Sequence, residues 1–326
     1  MNLSTSYLGL QLKSPIIVSS STFTANAETI AACAEAGAGA VVLKSIFEEQ
    51  ILADIKKEEG YTDIYNTMPE AQQYLKTFLR GNEIEHYVNL IKEAKEAVSI
   101  PVIASINCTD KGEWTSIAKK FQDAGADALE LNIAIAPFDK DLNPRAIEDE
   151  YIEILKQVKK LVSIPVSVKI GSHFTNICNM AFQLACNGAN GLVLFNRFYN
   201  ADIDINSMKA VPGQALSSGE ENSTTLRHIL LLAAQGIACD LSASTGINDG
   251  NHVVKQILAG ASSVQVCSVL YRNGIDYIRQ MLNDIEAWMQ SKGFSCLADF
   301  KGKVNREDDL KLTERLQYLR RNSGMN

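Results

Sequence analysis

Five polar residues stand directly behind short apolar runs: Lys44 after AVVL, Asn107 after VIASI, Asn132 after ALEL, Lys169 after VSV and Asn196 after LVLF. Ser19-Ser20-Ser21, Ser45, Arg197, Ser244-Thr245-Gly246 and Cys267-Ser268 hold similar places. Taken alone, a lysine at a strand end usually carries its charge out to water, and an asparagine there is usually a turn residue. Several of them converging on one rim need another account, because a partly buried ammonium is costly without an anionic or strongly accepting partner. The set points to a ligand rich in acceptors and carrying negative charge.

The elements that must position these residues follow from a repeat. EAGAGAVVL (35–43), DAGADALEL (123–131), CNGANGLVL (186–194) and LAGASSVQV (258–266) each place Gly after a helical pattern and before an apolar strand. Gly there supplies the left-handed cap that turns the chain back. Between them lie SPIIVSS (14–20), IPVIASI (100–106), IPVSVKI (164–170) and GIACDLSA (236–243). The two patterns alternate. They predict eight short, almost wholly apolar strands separated by helices, hence a parallel sheet covered on both faces. Eight such units predict a (β/α)8 TIM barrel. An open doubly wound sheet is the runner-up; no G-x-G-x-x-G follows the first strand, as a dinucleotide-binding unit would require.

In a barrel, every residue named above falls on the C-terminal rim, where barrel enzymes build their sites. The loops after strands seven and eight often hold phosphate through backbone N–H groups and a short helix N-terminus. STGINDG (244–250) and CSVLY (267–271) fill those places, with Gly246 expected to let the backbone approach a phosphate and Ser268 to add a hydroxyl. Residues 46–80 and 196–223 are expected to be long loops on the same rim, and 291–326 a helical extension packed on a barrel of residues 1–290.

Bulk properties narrow the class. A net charge of −7 with no basic cluster argues against nucleic acid and anionic membrane. Seven cysteines, an odd number with no C-x-x-C, argue for a reducing cytoplasmic setting without disulfides or a metal site. MNLSTSYLGLQLKSP shows no signal peptide, and no 18-residue apolar stretch predicts a membrane span.

The chain resembles the dihydroorotate dehydrogenases of the class 1 type and their FMN-binding relatives. The resemblance runs through LGLQLKSPIIVSSS, VVLKSI (41–46), EGYTDIYNTM (59–68), ELN (130–132), VSVKI (166–170), GLVLFNR (191–197) and TGINDGNHVVKQILAGASSVQVCSVLYRNG (245–274). It implies an FMN-dependent oxidoreductase of pyrimidine biosynthesis, passing hydride between a substrate carbon and flavin N5. By this likeness Ser19, Ser20 and Ser21 contact the flavin, and Lys44 and Ser45 flank its ring. Asn107 and Asn132 serve ring and substrate, and Lys169 lies at the N1/O2 edge, where a cation stabilises reduced flavin. Thr245, Gly246, Cys267 and Ser268 match the phosphate loops. Lys44, Asn66, Asn132 and Asn196 match substrate contacts. The resemblance further implies a cytoplasmic homodimer acting on a small dihydroorotate-like molecule, with fumarate or an iron–sulfur partner subunit as electron acceptor.

One motif departs. The family carries its catalytic Cys or Ser after strand four, in a sequence of the form N-L-S-C-P-N. Here Asn132-Ile-Ala-Ile-Ala-Pro137 places Ile135 or Ala136 at that position, and neither accepts a proton; Phe138 replaces the final Asn. Cys108 and His173 are the candidate replacement bases on the rim. Arg197, beside Asn196, either holds a carboxylate or points to solvent. Two further readings stand beside the oxidoreductase: an FMN-binding relative with another substrate or no turnover, and an aldolase- or lyase-type barrel using Lys44 or Lys169 as a Schiff base.

Overall fold

The computed structural model describes residues 1–47, 69–107, 113–135, 137, 139–198 and 201–304. An antiparallel pair, β1 (Thr5–Tyr7) and β2 (Leu10–Leu12), opens the chain. The ring follows with β3 (Ile16–Val18), β4 (Ala40–Val42), β5 (Ile46–Phe47), β6 (Val102–Asn107), β7 (Ala128–Asn132), β8 (Val166–Ile170) and β9 (Gly191–Leu194). A separate hairpin, β10 (Ala201–Asp204) with β11 (Lys209–Pro212), precedes the last two ring strands, β12 (Asp240–Ser244) and β13 (Ser263–Val266). β4 and β5 are one barrel strand broken at residues 43–45: β4 pairs with the start of β6 and β5 with its end. All ring pairings are parallel, and β13 closes on β3, giving the eight-stranded (β/α)8 barrel.

The outer layer contains α1 (Ala27–Glu35), α2 (Pro69–Ala97), α3 (Glu113–Asp123), α4 (Pro144–Leu161), α5 (Ile177–Cys186), α6 (Asn222–Ala234) and α7 (Gly250–Ala259). The short α8 (Ser268–Asn273) and then α9 (Tyr277–Lys292) follow the last strand. The four repeat glycines behave as the pattern requires: Gly37, Gly125, Gly188 and Gly260 have φ of 107°, 100°, 99° and 117°. An L side chain rarely adopts that conformation, so Gly ends each helix and aims the next strand.

Strand alternation divides the core in two. Outward residues such as Val41, Leu43, Leu129, Leu131, Val166 and Val168 pack against the helices. Inward residues Ile17, Ala40, Val42, Ile103 and Ala128 form a smaller cluster with Tyr7, Leu8 and Leu12. The β1–β2 hairpin thus plugs the N-terminal end of the barrel, with Leu8 N–H donating to Asp240 Oδ2 at 2.8 Å.

Two expectations are corrected. Residues 69–80 belong to α2 rather than to a loop, because Pro69 suits a first helical position and the run behind it is rich in helix formers. Gly81 inside that helix costs only about 1 kcal/mol, too little to end it. Nor are the strands wholly apolar. Ser105, Glu130, Ser167, Ser242 and Gln265 are all buried, each two residues before a mouth residue and so facing inward beneath it. The long segment after β9 contains the exposed β10–β11 hairpin, which carries Ile203, Ile205 and Met208 outward. The tail at 305–326 lies outside the described residues.

Candidate functional site

A cavity of about 360 Å³ opens at the C-terminal ends of the strands. Its walls include Ser19 and Ser20 after β3, Lys169 on β8, Phe195, Asn196 and Arg197 after β9, Ser244, Thr245 and Gly246 at the end of β12, and Cys267 and Ser268 after β13. Most of the strand-end residues marked by the sequence therefore meet in one place. Lys44, Ser45, Asn107 and Asn132 stand on neighbouring strand ends but are not among the cavity's lining residues. Asn66 and Cys108 lie outside the described residues, as do Ala136 and Phe138.

Lys169 anchors the cavity floor. Its Nζ donates to Gln265 Oε1 at 3.1 Å and Ser19 Oγ at 3.3 Å, and lies 3.8 Å from Glu130 Oε1. Ser19 Oγ donates in turn to Gln265 Oε1 at 3.1 Å. Gln265 turns its Nε2 away from the lysine, toward Glu130 Oε2. Gln265 and Glu130 are among the residues that sequence reasoning missed. The signal was their position two residues before Cys267 and Asn132, which strand alternation converts into the same inward direction.

A second group supports the wall. Ser20 Oγ accepts the Ser45 N–H at 2.8 Å, and Ser45 Oγ lies 2.6 Å from Ser105 Oγ. Tyr87, from α2, takes the Ser105 N–H at 2.8 Å and donates to the Ser105 carbonyl at 3.2 Å. Among the described residues, the Asn132 Oδ1 is buried without a hydrogen-bond partner. Asn196 spends its Nδ2 on the carbonyls of Ile133 and Lys169, at 3.3 and 3.4 Å. Burial pushes the Cys267 thiol up, and the nearby Lys169 charge only partly opposes this, so Cys267 is a neutral wall residue.

At the other end of the cavity, Ser217 reaches in from the segment before α6. Its Oγ accepts the Gly246 N–H at 3.2 Å and donates to Ser268 Oγ at 3.1 Å, while its N–H meets the same Ser268 oxygen at 3.0 Å. Arg272 Nη2 holds the Ser217 carbonyl at 2.7 Å. Gly246 has φ 77°, and a Cβ there would lie 2.3 Å from Asn222 N. The glycine is thus required by its left-handed φ and by the close approach of the α6 N-terminus.

Arg197 takes the first of its two expected roles, that of holding a carboxylate. It pairs with Glu221 through Nε at 2.8 Å and Nη2 at 3.3 Å, and its Nη1 caps the carbonyls of Gln214 and Ala215. The carboxylate it holds is the protein's own. His173 sits apart from the main cavity. It stacks on Phe174, with ring centres 4.8 Å apart, and lines a neighbouring cavity of about 280 Å³ with Pro137, Asp139 and Glu148. Partial burial lowers its pKa.

The fold is that of the (β/α)8 barrel enzymes, which build their sites at the C-terminal ends of the strands, and the cavity with Lys169 on its floor lies there. A sequence profile of the dihydroorotate dehydrogenases matches residues 77–289, and the chain belongs to that family of oxidoreductases. Among its relatives is a Thermoplasma volcanium protein described as dihydroorotate dehydrogenase B (NAD(+)), catalytic subunit. It is 27% identical over 318 residues, covering 92% of this chain and 98% of the relative. Proteins of the same description from Methanocaldococcus jannaschii (25% identical; 90% and 95% covered) and Methanosarcina acetivorans (28%; 88% and 91%) are also similar. No described helix is long and apolar enough to cross a membrane.

Proposed function

We propose that the strand-end cavity binds FMN and that the chain catalyses hydride transfer at a CH–CH bond of a small dihydroorotate-like substrate. The observation that carries this reading is Lys169: a lysine only 9% exposed, fixed by Gln265 and Ser19 with its ammonium on the cavity floor. The residues present fit a flavin phosphate ester. A buried cation, Asn196 and the serines around Gly246 and Ser268 supply donors and acceptors along one cavity, and Asn132, with its buried Oδ1, stands on a neighbouring strand end. FMN, when bound, supplies N5 as the hydride acceptor.

The protein's own part is to bind and orient. Ser19, Ser20 and Ser21 would hold the ring from β3, Lys44 and Ser45 would flank it, and Asn107 would contact it from β6. Thr245, Gly246, Cys267 and Ser268 would surround the phosphate, with Ser217 as an additional hydroxyl. Lys169 would stabilise negative charge at the N1/O2 edge, and Asn132, Asn196 and Asn66 would bond the substrate. We also read residues 1–290 as the FMN-binding barrel, 291–326 as an extension on it, and the assembly as a homodimer working in the cytoplasm.

Proton removal is where a second reading enters. Ile135 occupies the position of the family's base in direct register, and His173 faces the neighbouring cavity. This favours a substrate other than dihydroorotate, or flavin binding without turnover. The test is direct. Titration with FMN should quench flavin fluorescence and yield a yellow protein; a protein that cannot be loaded sinks the reading. Anaerobic dihydroorotate should then bleach the bound flavin, and an unbleached spectrum selects the second reading.

A further inference from the structure

We infer that Glu130 is a positioning residue for Lys169, and through it a determinant of how strongly the site favours reduced over oxidised flavin. This rests on the FMN reading above. Glu130 is 1% exposed and Gln265 2%. A side-chain amide has one accepting and one donating end. Glu130 Oε2 takes the donating end of Gln265, so the accepting end is committed to Lys169 and Ser19. If the amide were reversed, its NH2 would face the ammonium and lose the carboxylate. Glu130 thus fixes which end of Gln265 the lysine meets.

Its second effect is charge. Glu130 Oε1 lies 3.8 Å from Lys169 Nζ and has no hydrogen-bond partner among the described residues. At that separation, away from water, the carboxylate offsets much of the field that the ammonium projects into the cavity. The opposite side of the carboxylate is closed by the barrel plug. Tyr7 is fully buried, and burial together with the Glu130 charge keeps its phenol protonated. The site therefore holds a cation that is attenuated by design: its position comes from Gln265 and Ser19, and its strength from Glu130.

The two roles separate by sign. Glu130→Gln keeps size and hydrogen bonding but removes the charge, leaving Lys169 uncompensated. It should raise the preference for reduced flavin by about tenfold, a shift of roughly +30 mV for the two-electron couple. Lys169→Met should move the potential the other way, and Gln265→Leu, which loosens the lysine without changing charge, should move it the same way as Lys169→Met. The measurement is the potential of bound FMN by spectroelectrochemical titration. In a Lys169→Met background, Glu130→Gln should shift the preference by less than it does in the wild type, because the part of its effect that runs through the lysine is gone and only the carboxylate's own field remains. A Glu130→Gln protein with an unchanged potential, or one whose shift is undiminished without Lys169, overturns the inference. If Glu130→Gln does not fold, the Gln265→Leu potential decides, and an unchanged or raised value counts against it. A wild-type chain that binds no FMN brings down the proposed function and this inference with it; one that binds FMN normally while Glu130→Gln leaves its potential in place brings down this inference alone.

Discussion

At the scale of single residues, the mouth of the barrel was readable because each candidate position ends an apolar run. Ser19, Ser20, Lys169, Asn196, Gly246, Cys267 and Ser268 all reach one cavity. Glu130, Gln265 and Ser105 were hidden because a polar residue inside an apolar strand announces no direction until the strand's two faces are assigned. Ser105 shows what such a residue does. Its N–H and carbonyl both engage Tyr87, and its hydroxyl leads through Ser45 to Ser20 on the cavity wall. Burial raises the Tyr87 pKa, so the phenol stays a neutral donor and acceptor across the working range. Tyr87→Phe would keep the ring's stacking on Phe121, with centres 4.4 Å apart, but strand the Ser105 N–H in the barrel wall. An unsatisfied buried donor costs about 1–3 kcal/mol. Urea unfolding should show that loss, and a loss below about 0.5 kcal/mol would mean that the Tyr87 hydroxyl carries no strain-free bond worth keeping.

Elements were legible where periodicity and glycine punctuation agree, and less so where they do not. The eight barrel strands fall where the repeats put them, whereas the helical start of α2 at Pro69 was read as loop because nothing apolar repeats clearly there. The segment between β11 and α6 had no pattern at all; its conformation is set by tertiary polar contacts. Arg197 holds the carbonyls of Gln214 and Ala215, Arg272 holds that of Ser217, and Glu221 anchors Arg197. Burial alone would push the Glu221 carboxyl up, but hydrogen bonds from Arg197 and the Ser218 N–H, with the charges of Arg197 and Arg272, hold it below the ordinary value of 4.5. A depressed carboxylate contributes stability that is present above its unfolded value and is lost as pH falls through the folded value. The segment should therefore loosen below about pH 4.5. The protection factors of residues 213–218 should fall there, while in Glu221→Gln they should already be low at pH 7 and respond little to acid. Equal exchange in the two proteins at pH 7 would rule this strap out.

At the scale of the whole molecule, the barrel could be read from alternation of two sequence patterns, but its closure at the bottom could not. The first residues carried no structural expectation in the sequence beyond the absence of a signal peptide and a share in the family resemblance; in the structure they form the plug at the bottom of the barrel. Leu8 and Gly9 link β1 to β2 with φ of 56° and 75°. Two-residue hairpin turns need positive φ at such positions and favour Asn-Gly. Leucine in a left-handed conformation costs roughly 1–2 kcal/mol, so local propensity argues against it. Packing argues for it: Leu8 is 3% exposed and fills the space left by Gly191, whose Cβ would meet Leu8 Cδ2 at 2.6 Å. Removing a buried leucine costs about 2–5 kcal/mol, which exceeds the turn penalty. Leu8→Asn, the better turn residue, should therefore destabilise the protein by about 1–3 kcal/mol after the turn gain of roughly 1–2 kcal/mol is credited. It should also leave an asparagine facing the bottom of the barrel. A denaturant midpoint that rises instead would show that the hairpin is a turn laid against the barrel and not its plug. Burying Leu8 at the cost of a strained turn follows the same logic as the mouth: the repeat builds the wall, and the two ends are closed by residues chosen for what they touch across the barrel.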